Sequence, residues 1–552
     1  MGAFPLTLRP ASLRTRASGV VMVTLLALGA LLLSHAAPVA AADWPMFGQN
    51  LNNTASNVTN IGKKVSSLKV KWTFTTGGDV SARAAVVDGV VYFPDWAGNL
   101  YAVNASDGTL KWKHQLSDYG LPSGTYARAT PTVAAGTLYL GTQSAPLNPP
   151  ALAVGGAWLL SIKAATGDLK WMTQLESPAN DPYAMITTSV AVHDKLVYAG
   201  VASNEEGLAG FLPGFLCCKA RGSVVAVDAS TGIIRWKTYT TPPGYTGAGV
   251  WGSNPVVDPV RGSLYVGTGN NYSHPTDTAY VACVVGGGTP ASCSSPNNHV
   301  DSILALDLSS GAIKWATKLV MWNHTVPPYP APVIDGSDDW NVACFVPPFT
   351  NCPSNPGPDY DFASAPNLIT VTGTKGSKTI LGAGQKSGIY YALDPDTGNE
   401  LWRTQVGPGS SLGGIEWGSA SDGKRIYVGI VNFTGVSYSA GSAGSWAALD
   451  PETGTILWQR SVPNNSIALG PLAVADGVVY APSMDGAPSA ATMFALDAAN
   501  GNTLWSFAPG SSVIAGATIV NDTVYWGSGY THLGIPGFTG NNQFFAFSPS
   551  GK

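Results

Sequence analysis

Residues able to ligate a cation and to accept a proton gather in the middle of the chain. Gly200-Val-Ala-Ser-Asn-Glu-Glu-Gly207 carries Glu205 and Glu206, Gly267-Thr-Gly-Asn270 ends on an amide, and Asp359-Tyr-Asp-Phe-Ala363 supplies Asp359 and Asp361. Carboxylate and amide oxygens are hard donors and suit calcium, which takes several oxygens in a flexible geometry. Gln385-Lys-Ser-Gly388 adds a positive group in Lys386, and Trp251-Gly252 offers a flat aromatic ring. The adjacent pair Cys217-Cys218 lies between the glutamates and Trp251. The chemistry open to such a group is polarisation of an oxygen by a cation while a carboxylate takes a proton. The spacing alone also fits solvated loop charges, with Asn270 a turn residue.

A repeat is what would hold these residues in place. Ser223-Val-Val-Ala-Val-Asp-Ala-Ser-Thr-Gly-Ile-Ile-Arg-Trp236 has variants at 100–112, 159–171, 303–315, 391–402, 447–458 and 494–505. Each predicts a hairpin: an apolar strand up to the Asp or Asn, a reversal at a Gly free to take positive φ, and a returning strand with the Trp. Further strand signals lie between the copies, for example at 84–93 and 471–480. One unit therefore holds about four strands and reads as a propeller blade. The tryptophan is expected to dock its ring on the neighbouring blade. The last copy, Phe544-Phe-Ala-Phe-Ser548, has no returning Trp, and Ser66-Ser-Leu-Lys-Val-Lys-Trp72 reads as the missing strand. N- and C-terminal strands are thus expected to share one blade and close the ring. The prediction is an all-β, eight-bladed β-propeller, about eight blades being the upper end of the usual range. The long intervals between Trp171 and Trp402 place insertions, and so the site, over those blades.

Composition agrees: 552 residues with 65 Gly, 17 Trp and 11% charged residues suit a large ring of short strands and many turns. A formal net charge of -4 and the lack of a basic tract give no reason for a nucleic-acid partner. Residues 1–42 carry Arg9, Arg14 and Arg16, an apolar run from Val20 to Leu33, and small residues to Ala42. That is the layout of a secretory signal, with a single propeller domain over 43–552 and a secreted or periplasmic product; an uncleaved anchor is the other reading. In an exported chain the six cysteines pair by spacing as Cys217–Cys218, Cys283–Cys293 and Cys344–Cys352. No Cys-x-x-Cys-His is present to attach a c-type haem, and no Cys/His cluster has zinc spacing.

The Asp-x-x-Thr-Gly-x-x-x-Trp repeat, Trp251-Gly252, Asp258-Pro259 and Gly267-Thr-Gly-Asn270 together resemble the quinoprotein alcohol dehydrogenases, propellers that hold pyrroloquinoline quinone (PQQ) and calcium. Asp43-Trp-Pro-Met-Phe-Gly-Gln-Asn-Leu-Asn-Asn-Thr-Ala-Ser56, the Cys217-Cys218 loop and Gly413-Gly-Ile-Glu-Trp-Gly-Ser419 are similar to the members that oxidise polyvinyl alcohol. The resemblance covers the chain after its leader. It implies a PQQ- and calcium-dependent oxidation of secondary or polymeric alcohols, with electrons leaving to a separate acceptor such as cytochrome c. It also implies roles: Glu205, with Glu206 as competitor, Asn270 and Asp361 as metal ligands; Asp361, ahead of Asp359, as catalytic base; and Trp251 as the stacking floor. Cys217 and Cys218 would form a roof, Arg128 and Thr187 would meet the cofactor's carboxylates, and Lys386, Glu416 and Trp417 would complete its contacts. Ala363 stands where lanthanide-using members place a second Asp, which favours calcium.

Two readings of other classes need less of this set. A cofactor-free assembly scaffold needs only the docking tryptophans, and a non-catalytic binder of PQQ or a glycan needs the slot but not Asp361.

Overall fold

The repeat forms the hairpin that its residues dictate. In a computed structural model describing residues 43–144, 155–252, 254–319, 338–354, 356–373, 376–532 and 537–551, Ser223–Asp228 pairs antiparallel with Ile234–Tyr239. Asp228 Oδ1 caps the reversal by accepting the amides of Ser230 and Thr231, each at 3.0 Å. Gly232 sits at φ 76°, and a Cβ there would lie 2.9 Å from the Trp171 ring of the preceding blade. Both its conformation and the close approach therefore require glycine.

The tryptophans dock as expected. Trp171 Nε1 donates 3.1 Å to the Ala229 carbonyl, one residue past the Asp of the next turn. The same bond joins Trp112 to Ala164, Trp236 to Leu308, Trp315 to Pro395, Trp402 to Pro451 and Trp458 to Ala498. Each ring thus buries apolar area and satisfies its one donor on the neighbouring blade.

Among the described residues eight sheets make the ring, each built on four antiparallel strands, and two gain a short fifth strand, Ser56–Asn57 parallel to Ala473–Ala475 and Ala184–Met185 on Leu196–Ser203. Blades 1 to 7 span 85–115, 132–174, 191–239, 256–318, 367–405, 420–461 and 473–507; blade 8 joins 518–548 to Lys69–Thr75. Lys69–Thr75 pairs antiparallel with Gln543–Ser548, the predicted closure. Trp505 Nε1 donates to Leu68 O at 2.9 Å and Trp72 Nε1 to Ala105 O at 3.1 Å, so the docking series runs through the seam. Phe93 of blade 1 stacks on Phe544 of blade 8 at 4.1 Å.

Residues 44–55 form a strap across one end of the axis. Trp44 exchanges two 2.8 Å bonds with Val86, and the carbonyls of Pro45, Leu51, Asn52, Thr54 and Ala55 accept amides of Val133, Val257, Leu368, Ser421 and Val474. Blades 1, 2, 4, 5, 6 and 7 are all gripped by one short segment. All three expected disulfides are present. The expected signal, residues 1–42, lies outside the described residues. No helix among the described residues is long and apolar enough to cross a membrane.

Candidate functional site

The inserted loops surround a cleft of about 700 Å3. Arg128, Glu206, Trp251, Asp359, Lys386, Glu416 and Trp417 line one part of it, and Trp96, Tyr126 and His532 another.

Asp361 rides on a segment held from two sides. Asp338 accepts the amides of Asp359 and Tyr360, each at 2.8 Å, and Ser364–Ala365 pairs in parallel with Trp417–Gly418. Asp359 and Trp417 adopt φ of 59° and 58°, left-handed values that non-glycine residues hold only under such constraint. The Asp361 carboxylate accepts Asn270 N at 2.7 Å on Oδ1, and on Oδ2 it accepts Trp251 Nε1 at 2.8 Å and meets Lys386 Nζ at 3.1 Å. A Cβ on Gly269 would lie 2.9 Å from Oδ1, so glycine there lets the carboxylate reach the Asn270 amide. Asp361 is buried behind the cleft wall, whereas Asp359 lines it with both oxygens 3.0 Å from Lys386 Nζ.

The Asn270 side-chain amide is held in one orientation. Its Nδ2 donates to Asn271 O at 2.9 Å and Trp340 O at 2.8 Å, which fixes the amide. Its Oδ1 is buried without a partner, a costly state for an acceptor that a cation would relieve. The residues present therefore fit a hard cation. Among the described residues no three His, Cys, Asp or Glu form a metal cluster, so the amide is essential to the candidate set.

The two glutamates divide differently from the expectation. Glu205 Oε2 accepts the amides of Lys219 and Ala220, each at 2.7 Å, so its carboxylate holds the loop after the cysteine pair. Glu206 lines the cleft instead. Of the two glutamates weighed as ligands, only Glu206 reaches the cleft, because adjacent residues of the helix Glu205–Phe211 face different sides. Burial, reinforced by the charge of Asp361, pushes Glu206 up to about 8 while Lys386 pulls it down. Burial works against the Lys386 charge too, but Asp359, then Asp361, Glu416 and Glu206 outweigh it and hold the ammonium protonated. Burial raises Glu416 to about 7 against the opposing pull of Lys386.

Trp251 is pinned at both ends, Nε1 to Asp361 and its carbonyl to Thr187 Oγ1 at 2.6 Å. Trp417 meets it edge-on at 5.5 Å, Lys386 lies 5.2 Å from the Trp251 ring centre, and Arg128 lies 5.2 Å from that of Trp417. Two further expectations need correction. Thr187 lines a separate axial cavity rather than the cleft, and its hydroxyl donates to the Trp251 carbonyl. Neither Cys217 nor Cys218 lines the cleft; Cys217 Sγ lies 3.8 Å from Asn341 Nδ2, beyond the cleft-lining Trp340 and Val342. Sequence reasoning missed Asp338 and the wall in which Trp96 stacks on His532 at 3.7 Å and on Tyr126 at 4.8 Å. The one available signal was a tryptophan, Trp96, outside the docking position of its blade.

The profile of a family described as outer membrane protein assembly factor BamB matches residues 62–317 and 385–541. Polyvinylalcohol dehydrogenase of Sphingopyxis sp. strain 113P3 is 29% identical over 541 residues, 88% of this chain and 73% of that protein. Polyvinylalcohol dehydrogenase of a Pseudomonas species is 28% identical over 562 residues, covering 92% and 77%. The quinohemoprotein alcohol dehydrogenase structure from Pseudomonas putida shares the fold with a TM-score of 0.67 at 17% identity, over 92% of this chain and 80% of that one. The chain belongs to this propeller family, and its similarity to the polyvinylalcohol dehydrogenases supports a place among the PQQ-dependent alcohol dehydrogenases.

Proposed function

We propose that the chain is a PQQ- and calcium-dependent dehydrogenase that oxidises secondary or polymeric alcohols, polyvinyl alcohol among them, to ketones and passes the electrons to a separate acceptor such as cytochrome c. The observation that carries this reading is the oriented, unpartnered Asn270 Oδ1, whose backbone amide is bonded to Asp361. Glu206, Asn270 and Asp361 would hold the cation; Arg128, Trp251, Lys386, Glu416 and Trp417 would hold the quinone. When bound, the quinone supplies the electron acceptor and calcium the Lewis acid that makes it electrophilic.

The chain's own residues orient the substrate and move its proton. Trp251 presents a flat face whose tilt is set by Asp361 and Thr187. Lys386 keeps its proton and stands as a fixed donor at the cleft wall. Asp359, with both oxygens on Lys386, fixes that lysine, and Asp361 Oδ2, which meets Trp251 Nε1 and Lys386 Nζ, is the oxygen assigned to take the alcohol proton. Arg128 lines the cleft, and its charge favours a carboxylate bound there. The family description suggests a scaffold as the second reading. A scaffold would gain nothing from this set of buried charges, each of which costs stability unless paired.

We also infer that residues 1–42 are a secretory signal, so that the mature propeller works in the periplasm or outside the cell. The test of function is dye-coupled oxidation of secondary alcohols and polyvinyl alcohol by purified protein, with PQQ and calcium each added or withheld. Activity should require both. No turnover together with no PQQ binding by calorimetry would return the chain to the scaffold reading.

A further inference from the structure

A second cavity, of about 40 Å3, lies on the axis and shares Arg128, Trp417 and Tyr530 with the cleft. Phe47 of the strap, Arg83, Thr130 and Thr187 also line it, and no aspartate or glutamate does. Arg83 is 1% exposed. Its Nη1 donates to Phe47 O at 2.6 Å and its Nη2 to Leu472 O at 2.7 Å, while its Nε has no partner. Its flat face lies 5.2 Å from the Trp44 ring centre and 5.0 Å from that of Phe47. Among the described residues no carboxylate pairs with it. Burial alone lowers it to about 9, with no acid opposing, so it remains charged at neutral pH. Arg128 Nε and Thr130 Oγ1 lack partners as well.

Carbonyl groups satisfy some of the Arg83 donors but leave its charge uncompensated, and a buried unpaired charge is strongly destabilising. The fold thus keeps a permanent cation and three unused donors around a small cavity without acids. We propose that this axial chamber binds a small monovalent anion of the halide class, held between the guanidinium groups of Arg83 and Arg128 with the Thr130 hydroxyl. The size agrees: one water needs about 10–15 Å3 on this measure, so the chamber admits a halide with a water and excludes a tricyclic quinone. The anion would tie the strap, through Arg83, to Arg128 at the floor of the cleft.

Crystals of the purified protein soaked in sodium bromide test the proposal by anomalous diffraction. A bromide peak is expected in the chamber within hydrogen-bond reach of Arg83 and Arg128, and Arg83→Gln should abolish it. In solution the thermal midpoint should rise saturably with bromide but not with gluconate at matched ionic strength, and the rise should vanish in Arg83→Gln. If that variant does not fold, Arg83→Lys, which keeps the charge but loses the fork, should weaken the bromide response, and the wild-type map decides independently. Surface bromide peaks with an empty chamber would overturn the proposal. Crystals loaded with PQQ separate the two sources of negative charge. A chamber peak that persists identifies a free anion, whereas one displaced on loading would assign the chamber to a carboxylate of the cofactor and overturn a separate site.

Discussion

The indole Nε1 of Trp251 donates to Oδ2 of Asp361 at 2.8 Å, across 110 positions of sequence. The stacking surface and the proton acceptor are therefore one mechanical unit: tilting the ring pulls the carboxylate, and neutralising the carboxylate loosens the ring. Asp361→Asn should lower kcat by about 100-fold or more, the usual worth of a positioned base. PQQ should still bind, as read by calorimetry. Asp359→Asn should cost less, because its two oxygens hold Lys386 rather than substrate.

The neighbouring glutamates should separate cleanly. Glu206→Gln is expected to raise the calcium concentration for half-maximal activity by about tenfold or more, since ligand charge sets affinity. Glu205→Gln should leave that titration unchanged. It should instead lower the unfolding midpoint through two weakened bonds from the Lys219 and Ala220 amides, a loss of about 1–3 kcal/mol.

Glu416 makes a stability prediction with a defined sign. Its folded value, near 7, is above the ordinary glutamate value of about 4.3, so the folded state holds the proton more tightly than the unfolded chain. Its contribution is fully present below about 4.3 and is lost as pH rises through about 7. Chemical denaturation of the cofactor-free protein should show this decline, and Glu416→Gln should flatten that part of the profile.

The docking tryptophans can be weighed one at a time. Trp458 is buried, its Nε1 donates to Ala498 O at 3.0 Å, and a Cβ on Gly501 would lie 2.6 Å from its ring. Trp458→Ala should cost about 3–5 kcal/mol in denaturant unfolding. Trp458→Phe should keep most of the buried area, losing the bond at about 1 kcal/mol besides some packing. Gly501→Ala should destabilise as well, since its φ of 75° and the ring both exclude a side chain.

What was readable in the chain follows how local each signal is. Asp228, Gly232 and Trp236 lie within one hairpin and specify it by short-range turn chemistry, and repetition turns one hairpin into a ring. The shared last blade was readable because two half-copies sit at opposite ends of the sequence. The choice between Glu205 and Glu206 was not, because one residue of helix rotation decides it and the deciding partners are amides of Lys219 and Ala220 in another loop. Thr187 was placed in the wrong cavity for a similar reason, its partner being a carbonyl in the next blade. Asp338 and the pairing of Trp96 with His532 rest on contacts between distant segments that no motif announces.

The closing seam has a consequence for the order of events in synthesis. Thr75 lies opposite Gln543, so the strand completing the last blade waits for a partner made at the far end of the chain. Until residues 543–548 appear, Lys69–Thr75 and Thr523–Gly527 both present unpaired edges. Closure is a late, long-range step, and such steps are slow. A nascent chain therefore stays unlatched, and threadable through a narrow pore, for nearly the whole of its production; a chain cut short before Gln543 never latches and keeps two adhesive edges exposed to its neighbours.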